Sequence, residues 1–441
     1  APPSGRAIAF VLWAVEEQPD LPPMPDALHA QPKPVNERLL LTILALVQFT
    51  HIMDFMIMMP LGSHLMRVFS ITPGQFSYLV ATYGLAAGLC GFLGGFILDR
   101  FERKHALLTL YAGFALATLA CALAPTYHVL LIARFAAGAC GGVAGSVVTA
   151  MVGDVIPPER RGRAMATVMS AFPLASVLGV PCGLWLAGRF EWHATFFLLA
   201  AVSTVILLVA LRALPHVHRP LSKAHPWEQM RAILVHPVHQ RCFLLSGVLI
   251  FAGGCVLPFM APSMVINVGL AEDQLFKIYM FGGTATFLST FIIGRLTDRY
   301  DKLHVLAIIS VFAAATVILC TRLPHGAIGL ALVTTTVLFM TMSGRFAPTM
   351  AMVANAVEAR YRGGFMSVNS AVQQIFSGLA NIAAGLLVTT DASGHLVGYT
   401  HAGYLSLAAF IATVVLAWWL RKAAPHAARP AGRSHLAEAA A

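Results

Sequence analysis

Charge is what this 441-residue sequence has least of: Asp, Glu, Lys and Arg make up 11%, while 58% of the residues are hydrophobic and mean hydropathy is +0.75. A soluble domain carries about 25% charged residues, so a water-soluble fold of this length could not cover its own surface. The solvent for most of it must be lipid. The marks of other classes are also missing. The seven cysteines (Cys90, Cys121, Cys140, Cys182, Cys242, Cys255, Cys320) lie in or at the ends of apolar runs, with no metal-type spacing. They read as small packing residues and exclude a disulfide framework. No Gly-x-Gly-x-x-Gly follows a strand, so a nucleotide site is unsupported. The formal charge of +10 is scattered in short groups between apolar runs, which excludes nucleic acid as a partner. Neither a nucleophile constellation nor a metal cluster is present, so the chain reads as no enzyme and implies no metal and no cofactor.

What is there in abundance is long apolar runs. Crossing about 30 Å of hydrocarbon takes about 20 apolar residues in a helix. That ruler gives twelve spans, at 39–61, 76–98, 106–124, 128–152, 165–187, 194–213, 242–266, 275–296, 304–321, 326–350, 365–388 and 399–420. Membrane strands would be about ten residues long and would alternate apolar with polar, which these runs do not. The expectation is an all-α membrane protein. Loop charge sets its orientation. Alternate loops hold Arg100, Arg103, Lys104, Arg160, Arg161, Arg163, Arg360 and Arg362, among others, whereas the remaining loops hold only Arg67, Arg189, Lys277 and Arg322. Both termini are therefore expected in the cytoplasm.

The organisation that follows is a cytoplasmic leader at 1–38, a six-helix bundle at 39–213, a cytoplasmic linker at 214–240, a second bundle at 241–421 and a cytoplasmic tail at 422–441. The apolar stretch Ala7 to Val15 is too short to span and lacks a good cleavage site, so it does not read as a signal peptide. A short amphipathic helix at the membrane surface is expected in the linker, with Trp227 and Arg231 beside His216, His218, His225, His236 and His239. The short tails and the linker leave no room for the folded soluble domain of a sensor.

The two bundles repeat each other. Gly95-Phe-Ile-Leu-Asp99-Arg100-Phe-Glu-Arg103-Lys104 after the second span returns as Gly294-Arg-Leu-Thr-Asp298-Arg299-Tyr-Asp-Lys302 after the eighth. Arg161-Gly162 followed by Met165 returns as Arg362-Gly363 followed by Met366. The offsets are 199 and 201 residues. Two unrelated motifs sharing nearly one offset mark a tandem duplication.

These residues resemble the major facilitator superfamily, whose loop signature is matched at Gly95, Asp99, Arg100, Arg103 and Lys104 and missed at Glu102, where the family has glycine, with Ile97 in place of its leucine. Arg134 followed by Gly138 resembles the family's second motif, and Gly179-Val-Pro181-Cys-Gly183 its antiporter motif. The stretch from Gly153 to Gly183 with Trp192-His193-Ala-Thr-Phe196 is similar to the arabinose-efflux-permease-like branch of the drug:proton antiporters, although His193 stands where that branch has arginine. The resemblance covers about residues 39–420. It implies the major facilitator fold, two pseudo-symmetric six-helix bundles around a central cavity that opens alternately to each side. It also implies gating by the loop residues Gly95, Asp99, Arg100, Arg103, Asp298 and Arg299, with Asp99 latching the cytoplasmic side against the eleventh helix.

Charges inside spans are the most informative positions, because each costs about 2.5–3.5 kcal/mol or more at a helix centre. Asp54 and His51 lie three residues apart in the first span, roughly 60° around the axis, so they share a face and could touch. A carboxyl and an imidazole there could pick up a proton on one side and release it on the other. The rival reading is a structural hydrogen-bonded pair. Arg134 is a fixed cation, and the resemblance ties it to proton coupling. Arg345 is not its repeat partner, since the offset of 201 leads to Thr335; it reads as a substrate or gating group. Asn369, Gln373, Ser377 and Asn381, at steps of four, form a polar stripe that faces the bundle interior, as glue or as cavity lining. With Gln48 these residues are the substrate candidates. Met53, Met56, Met58 and Met59 beside His51 could suggest copper(I), or merely the filling of greasy helices. Pro173, Pro181, Pro258, Pro262 and Pro348 should permit bends.

The expected protein is thus a multi-pass, monomer-competent transporter in a bacterial inner membrane, exporting a small drug or sugar-like molecule on the proton gradient. The partners implied are that substrate, protons and the lipid bilayer. Proton-coupled uptake of an organic anion and transport of a lipid-like amphiphile are the alternatives.

Overall fold

A computed structural model of the chain describes residues 36–97, 101–215, 226–358 and 360–429. Among these, twelve helices are long and apolar enough to cross a membrane: α1 Glu37–Ile57, α2 Pro73–Gly94, α3 Arg103–Ala122, α4 Tyr127–Val155, α5 Arg160–Phe190, α6 Trp192–Ala213, α7 Pro237–Ile266, α8 Glu272–Arg299, α9 Lys302–Cys320, α10 Ile328–Ala356, α11 Arg362–Leu387 and α12 Tyr399–Ala423. Each coincides with one span expected from the apolar runs. The ends differ by a few residues, and at two of the helix starts a local cap fixes the position. Thr72 and Gln75 exchange side-chain to backbone hydrogen bonds ahead of α2, with Pro73 in its first turn. Asp301 accepts from the Leu303 and His304 amides at the start of α9. The first span is shorter than expected. Its last residues, 58–61, form a turn, and a separate helix, Gly62–Val68, follows it.

Three spans are interrupted, and each interruption lies just ahead of a proline. α5 breaks at Ser170 before Pro173 and winds into a π-turn at Ala175–Gly179 before Pro181. α7 breaks at Cys255 and Val256 before Pro258, and α10 breaks at Arg345 before Pro348. Proline has no N–H for the carbonyl four residues back and its ring crowds that carbonyl, so the helix gives way there.

Three helix pairings recur on both sides of the repeat. α4 lies against α2 and α3, and α3 against α6; correspondingly α10 lies against α8 and α9, and α9 against α12. The halves meet along α2 with α11 and along α5 with α8, two seams that exchange under a shift of six helices. The α2–α11 seam is close: a Cβ on Gly88 would stand 2.8 Å from the Ala371 carbonyl oxygen.

One end of the molecule carries the arginine-rich connections; the other is nearly neutral. At the neutral end the halves are joined. The ring of Phe76 meets that of Phe259 edge-on at 6.1 Å, Gly62 lies against Pro262, and Glu272 binds Arg67 and approaches His64 at 3.7 Å. A two-strand hairpin, Thr389–Thr390 with Leu396–Val397, caps this end. It is held by Asn267, whose side chain both accepts from and donates to Leu396. At the basic end Gly153, Gly162, Gly294 and Gly363 would meet nothing within 4 Å of an added Cβ. The linker does contain a short helix, Pro226–Val235, as its pattern suggested, followed by the close pair His236 and His239 with ring centroids 4.5 Å apart. His216, His218 and His225 lie outside the described residues.

Candidate transport site

The first half encloses a polar cluster in its core. Asp54 on α1 and Arg134 on α4 are both 0% exposed and form an ion pair of 2.7 Å through Oδ2 and NH1. NH1 also donates to the Asp54 carbonyl oxygen at 3.2 Å. Oδ1 of Asp54 and Nε and NH2 of Arg134 have no hydrogen-bond partner in the structure. Removing a charge pair from water costs more than ordinary packing returns, and isosteric apolar residues would be about as stable. A pair left this incompletely satisfied is therefore poorly explained by stability.

His51 and Asp54 do share a face of α1, but each is paired with another helix and no hydrogen bond joins them. His51 Nδ1 lies 2.5 Å from the hydroxyl of Tyr83 on α2. The preceding residue, Thr50, bonds the hydroxyl of Tyr111 on α3 at 2.9 Å. The glycines of α4 make this possible. A Cβ on Gly141 would lie 2.6 Å from His51 Nδ1, and one on Gly145 would touch Oε1 of Gln48 at 3.4 Å. Gln48 is thus turned toward α4.

The antiporter-like motif is placed against α1. An added Cβ on Gly179 would lie 3.0 Å from Met53 Sδ, and one on Gly183 would lie 2.9 Å from Ile57 Cδ1. Pro181 stands between them, just beyond the π-turn. Met56 Sδ accepts from Ser176 at 3.7 Å, so two of the thioethers near His51 pack on α5. No cluster of three or more His, Cys, Asp or Glu suited to a metal occurs among the described residues.

In the second half each candidate has contacts of its own. The α11 stripe turns toward α7 and α10: Gln373 Nε2 is 3.6 Å from Met350 Sδ, and Asn381 Oδ1 lies 3.6 Å from where a Cβ on Gly254 would be. Asn369, Ser377 and Asn381 are buried, and both side-chain polar atoms of Asn381 lack partners. Arg345 sits at the break of α10, 1% exposed, with its guanidinium carbon 4.2 Å from the ring centroid of Phe410 on α12. NH2 reaches Met342 Sδ, while Nε and NH1 have no partner. It is packed inside the second half against α12.

Of the gating candidates, Arg103 binds Asp154 at the basic end of α4, Nε to Oδ2 at 3.1 Å. Asp298 and Arg299 are exposed at the end of α8, and the ion pair formed there is that of the following Asp301 with Arg421 at 3.3 Å. Asp99 and Arg100 lie outside the described residues, and at Gly95 only the helical backbone is described. The sequence reading missed Tyr83, Tyr111, Asp154, Asp301 and Glu272. For Tyr83 the available signal was its place beside Gly84, a small residue at a helix seam; for Asp154 and Asp301 it was their position at helix ends, where a carboxylate finds donors.

Comparison with known proteins agrees with this architecture. The family model for the Major Facilitator Superfamily matches residues 44–339 and again 242–440. An uncharacterized MFS-type transporter of Bacillus subtilis, YceJ, is 24% identical over 361 residues, 79% of this chain and 89% of that protein. A probable sugar efflux transporter of Mannheimia succiniciproducens is 21% identical over 344 residues, 78% of this chain and 83% of its own. Among solved structures, a bacterial homologue of the human lysosomal transporter Spinster, in an inward-facing and occupied conformation, superposes with TM-score 0.73 at 14% identity, covering 88% of this chain and 97% of its own. A D-xylose–proton symporter gives TM-score 0.71 at 16% identity, covering 87% and 97%. The twelve helices, the tandem halves and the family match together make this chain a multi-pass membrane transport protein, not an enzyme, and a member of the Major Facilitator Superfamily.

Proposed function

We propose that the chain exports a small organic molecule, sugar-like or drug-like, in exchange for protons. The reading rests first on the Asp54–Arg134 pair. A carboxylate enclosed with one permanent cation has two stable conditions, ionised and paired or protonated and released, and so can couple proton uptake to a change in helix packing. The names of several relatives as sugar efflux transporters support the direction and the solute class. In this reading the neutral end is closed in the present conformation and the basic end faces the cytoplasm of a bacterial cell. The halves rock about the α2–α11 and α5–α8 seams, Asn369, Gln373, Ser377 and Gln48 contact the solute, and the monomer is the working unit. Asp99, Arg100, Arg103, Asp298 and Arg299 then latch the basic end when it closes.

One observation favours a second reading, uptake of an organic anion: the guanidinium of Arg345 has no acidic partner. The two separate in one experiment. The purified protein is reconstituted in liposomes with an imposed pH gradient and a panel of labelled sugars, drugs, organic anions and a lysolipid. Proton release on addition of a neutral sugar, lost in Asp54→Asn, is the expected result. Gradient-driven accumulation of an anion, lost in Arg345→Ala, would establish uptake instead, and transport of the lysolipid alone would replace both.

A further inference from the structure

Tyr83 belongs to none of the sequence motifs, yet it touches both halves of the candidate coupling site. It is 0% exposed on α2, and its ring centroid lies 4.4 Å from the guanidinium carbon of Arg134. The ring is fixed at both ends. At the backbone, a Cβ on Gly138 of α4 would run into the Tyr83 carbonyl oxygen, so the two helices are in direct contact. At the tip, the hydroxyl lies 2.5 Å from His51 Nδ1 and donates to the His51 carbonyl oxygen at 3.3 Å. Gly141 leaves the space in which hydroxyl and imidazole meet.

Arg134 keeps its charge whatever happens to Asp54. Its NH1 has the Asp54 carboxylate and carbonyl, while Nε and NH2 have no hydrogen-bond partner. When the carboxylate takes up a proton the ion pair is lost, and the cation is left with neutral neighbours, the Asp54 carbonyl oxygen, the Cys121 thiol and the face of Tyr83. A desolvated cation is attracted by the negative face of an aromatic ring. We propose that Tyr83 is a positioning residue of the coupling site: its ring carries the Arg134 charge while Asp54 is protonated, and so favours proton uptake by Asp54. The inference rests on Asp54 as the proton carrier. Tyr83 acts through Arg134. The other titratable groups facing the pair are His51 on α1 and Cys121 on α3.

Fluorination tests the ring face without changing its shape. Phenylalanine and its mono-, di- and trifluoro derivatives are placed at position 83, and the pH of half-maximal gradient-driven transport is measured in liposomes for each. Weakening the face should move that pH stepwise toward acid, by about one unit across the series. Solute exchange without a gradient, measured for each variant, reports fold and solute binding separately from the pH shift. Tyr83→Leu, which keeps apolar bulk without a ring face, should shift in the same direction and serves if the phenylalanine series folds poorly. Superimposable profiles, or a shift toward alkali, would overturn the proposal. Asp54→Asn separates the two levels. If it retains pH-dependent, gradient-driven transport, the coupling reading itself fails; if it is uncoupled while the fluorinated series is flat, only the role of Tyr83 fails.

Discussion

At Asp54 the membrane interior enforces pairing, since a lone carboxylate there would cost several kcal/mol. Arg134 supplies the pair, and the consequence is a split between stability and function. Asp54→Ala leaves a buried cation without its counter-ion and should cost about 3–5 kcal/mol, read as a lowered apparent melting temperature of the solubilised protein. Asp54→Leu with Arg134→Met removes both charges and should recover most of that loss while transport no longer follows the pH gradient. If the double variant remains gradient-driven, the pair is structural. The glycines of α4 make a second test. Gly138→Ala forces a Cβ into the backbone of Tyr83 and should cost about 1–3 kcal/mol, whereas Gly153→Ala, which meets nothing, should be near neutral. Both effects are read from the same melting experiment. The charged positions were legible in the sequence because any charge in an apolar run stands out. Their partners were not, since the face shared by His51 and Asp54 is filled by helices 32 and 80 residues away.

Among the elements, α5, α7 and α10 are alike in being broken where a proline removes a backbone donor. The breaks were legible in Pro173, Pro181, Pro258 and Pro348, where the missing N–H acts four residues back, but Pro262, expected to bend the same span as Pro258, lies inside the unbroken stretch Leu257–Ile266. What each break serves depends on packing. The π-turn of α5 lies where Gly283 of α8 approaches Ser176, on the seam between the halves. The break of α10 sets Arg345 over Phe410. Pro348→Ala restores a donor to the Gly344 carbonyl and should make α10 continuous. The expected outcome is an apparent melting temperature that is unchanged or higher, with slower transport in liposomes, because a hinge has been stiffened. Equal rates would mean that the break in α10 is not a moving part.

For the whole molecule, the joined neutral end is the feature to challenge. The pair of Arg67 with Glu272 is partly exposed and so is worth at most about 1 kcal/mol. Glu272→Gln should therefore raise labelling of a cysteine placed at Phe259, in a background lacking the native cysteines, by no more than about fivefold. Bridging Arg67→Cys to Glu272→Cys with a short reducible bifunctional reagent should stop transport, and a reductant should restore it. A bridged protein that still transports would show that this end does not open. Much of this architecture was already present in the sequence. The scarcity of charge, the twelve apolar lengths and the nearly constant offset between repeated motifs established a duplicated helical membrane protein, because span length and helix formation in lipid are local requirements that each segment meets alone. Only the tertiary structure decided who faces whom: Asp54 with Arg134, His51 with Tyr83, the α11 stripe with α7 and α10, Arg345 with an aromatic ring and no acid. Periodicity gives the face of a helix, but the neighbour filling that face comes from distant chain, and the packing of the other helices selects it.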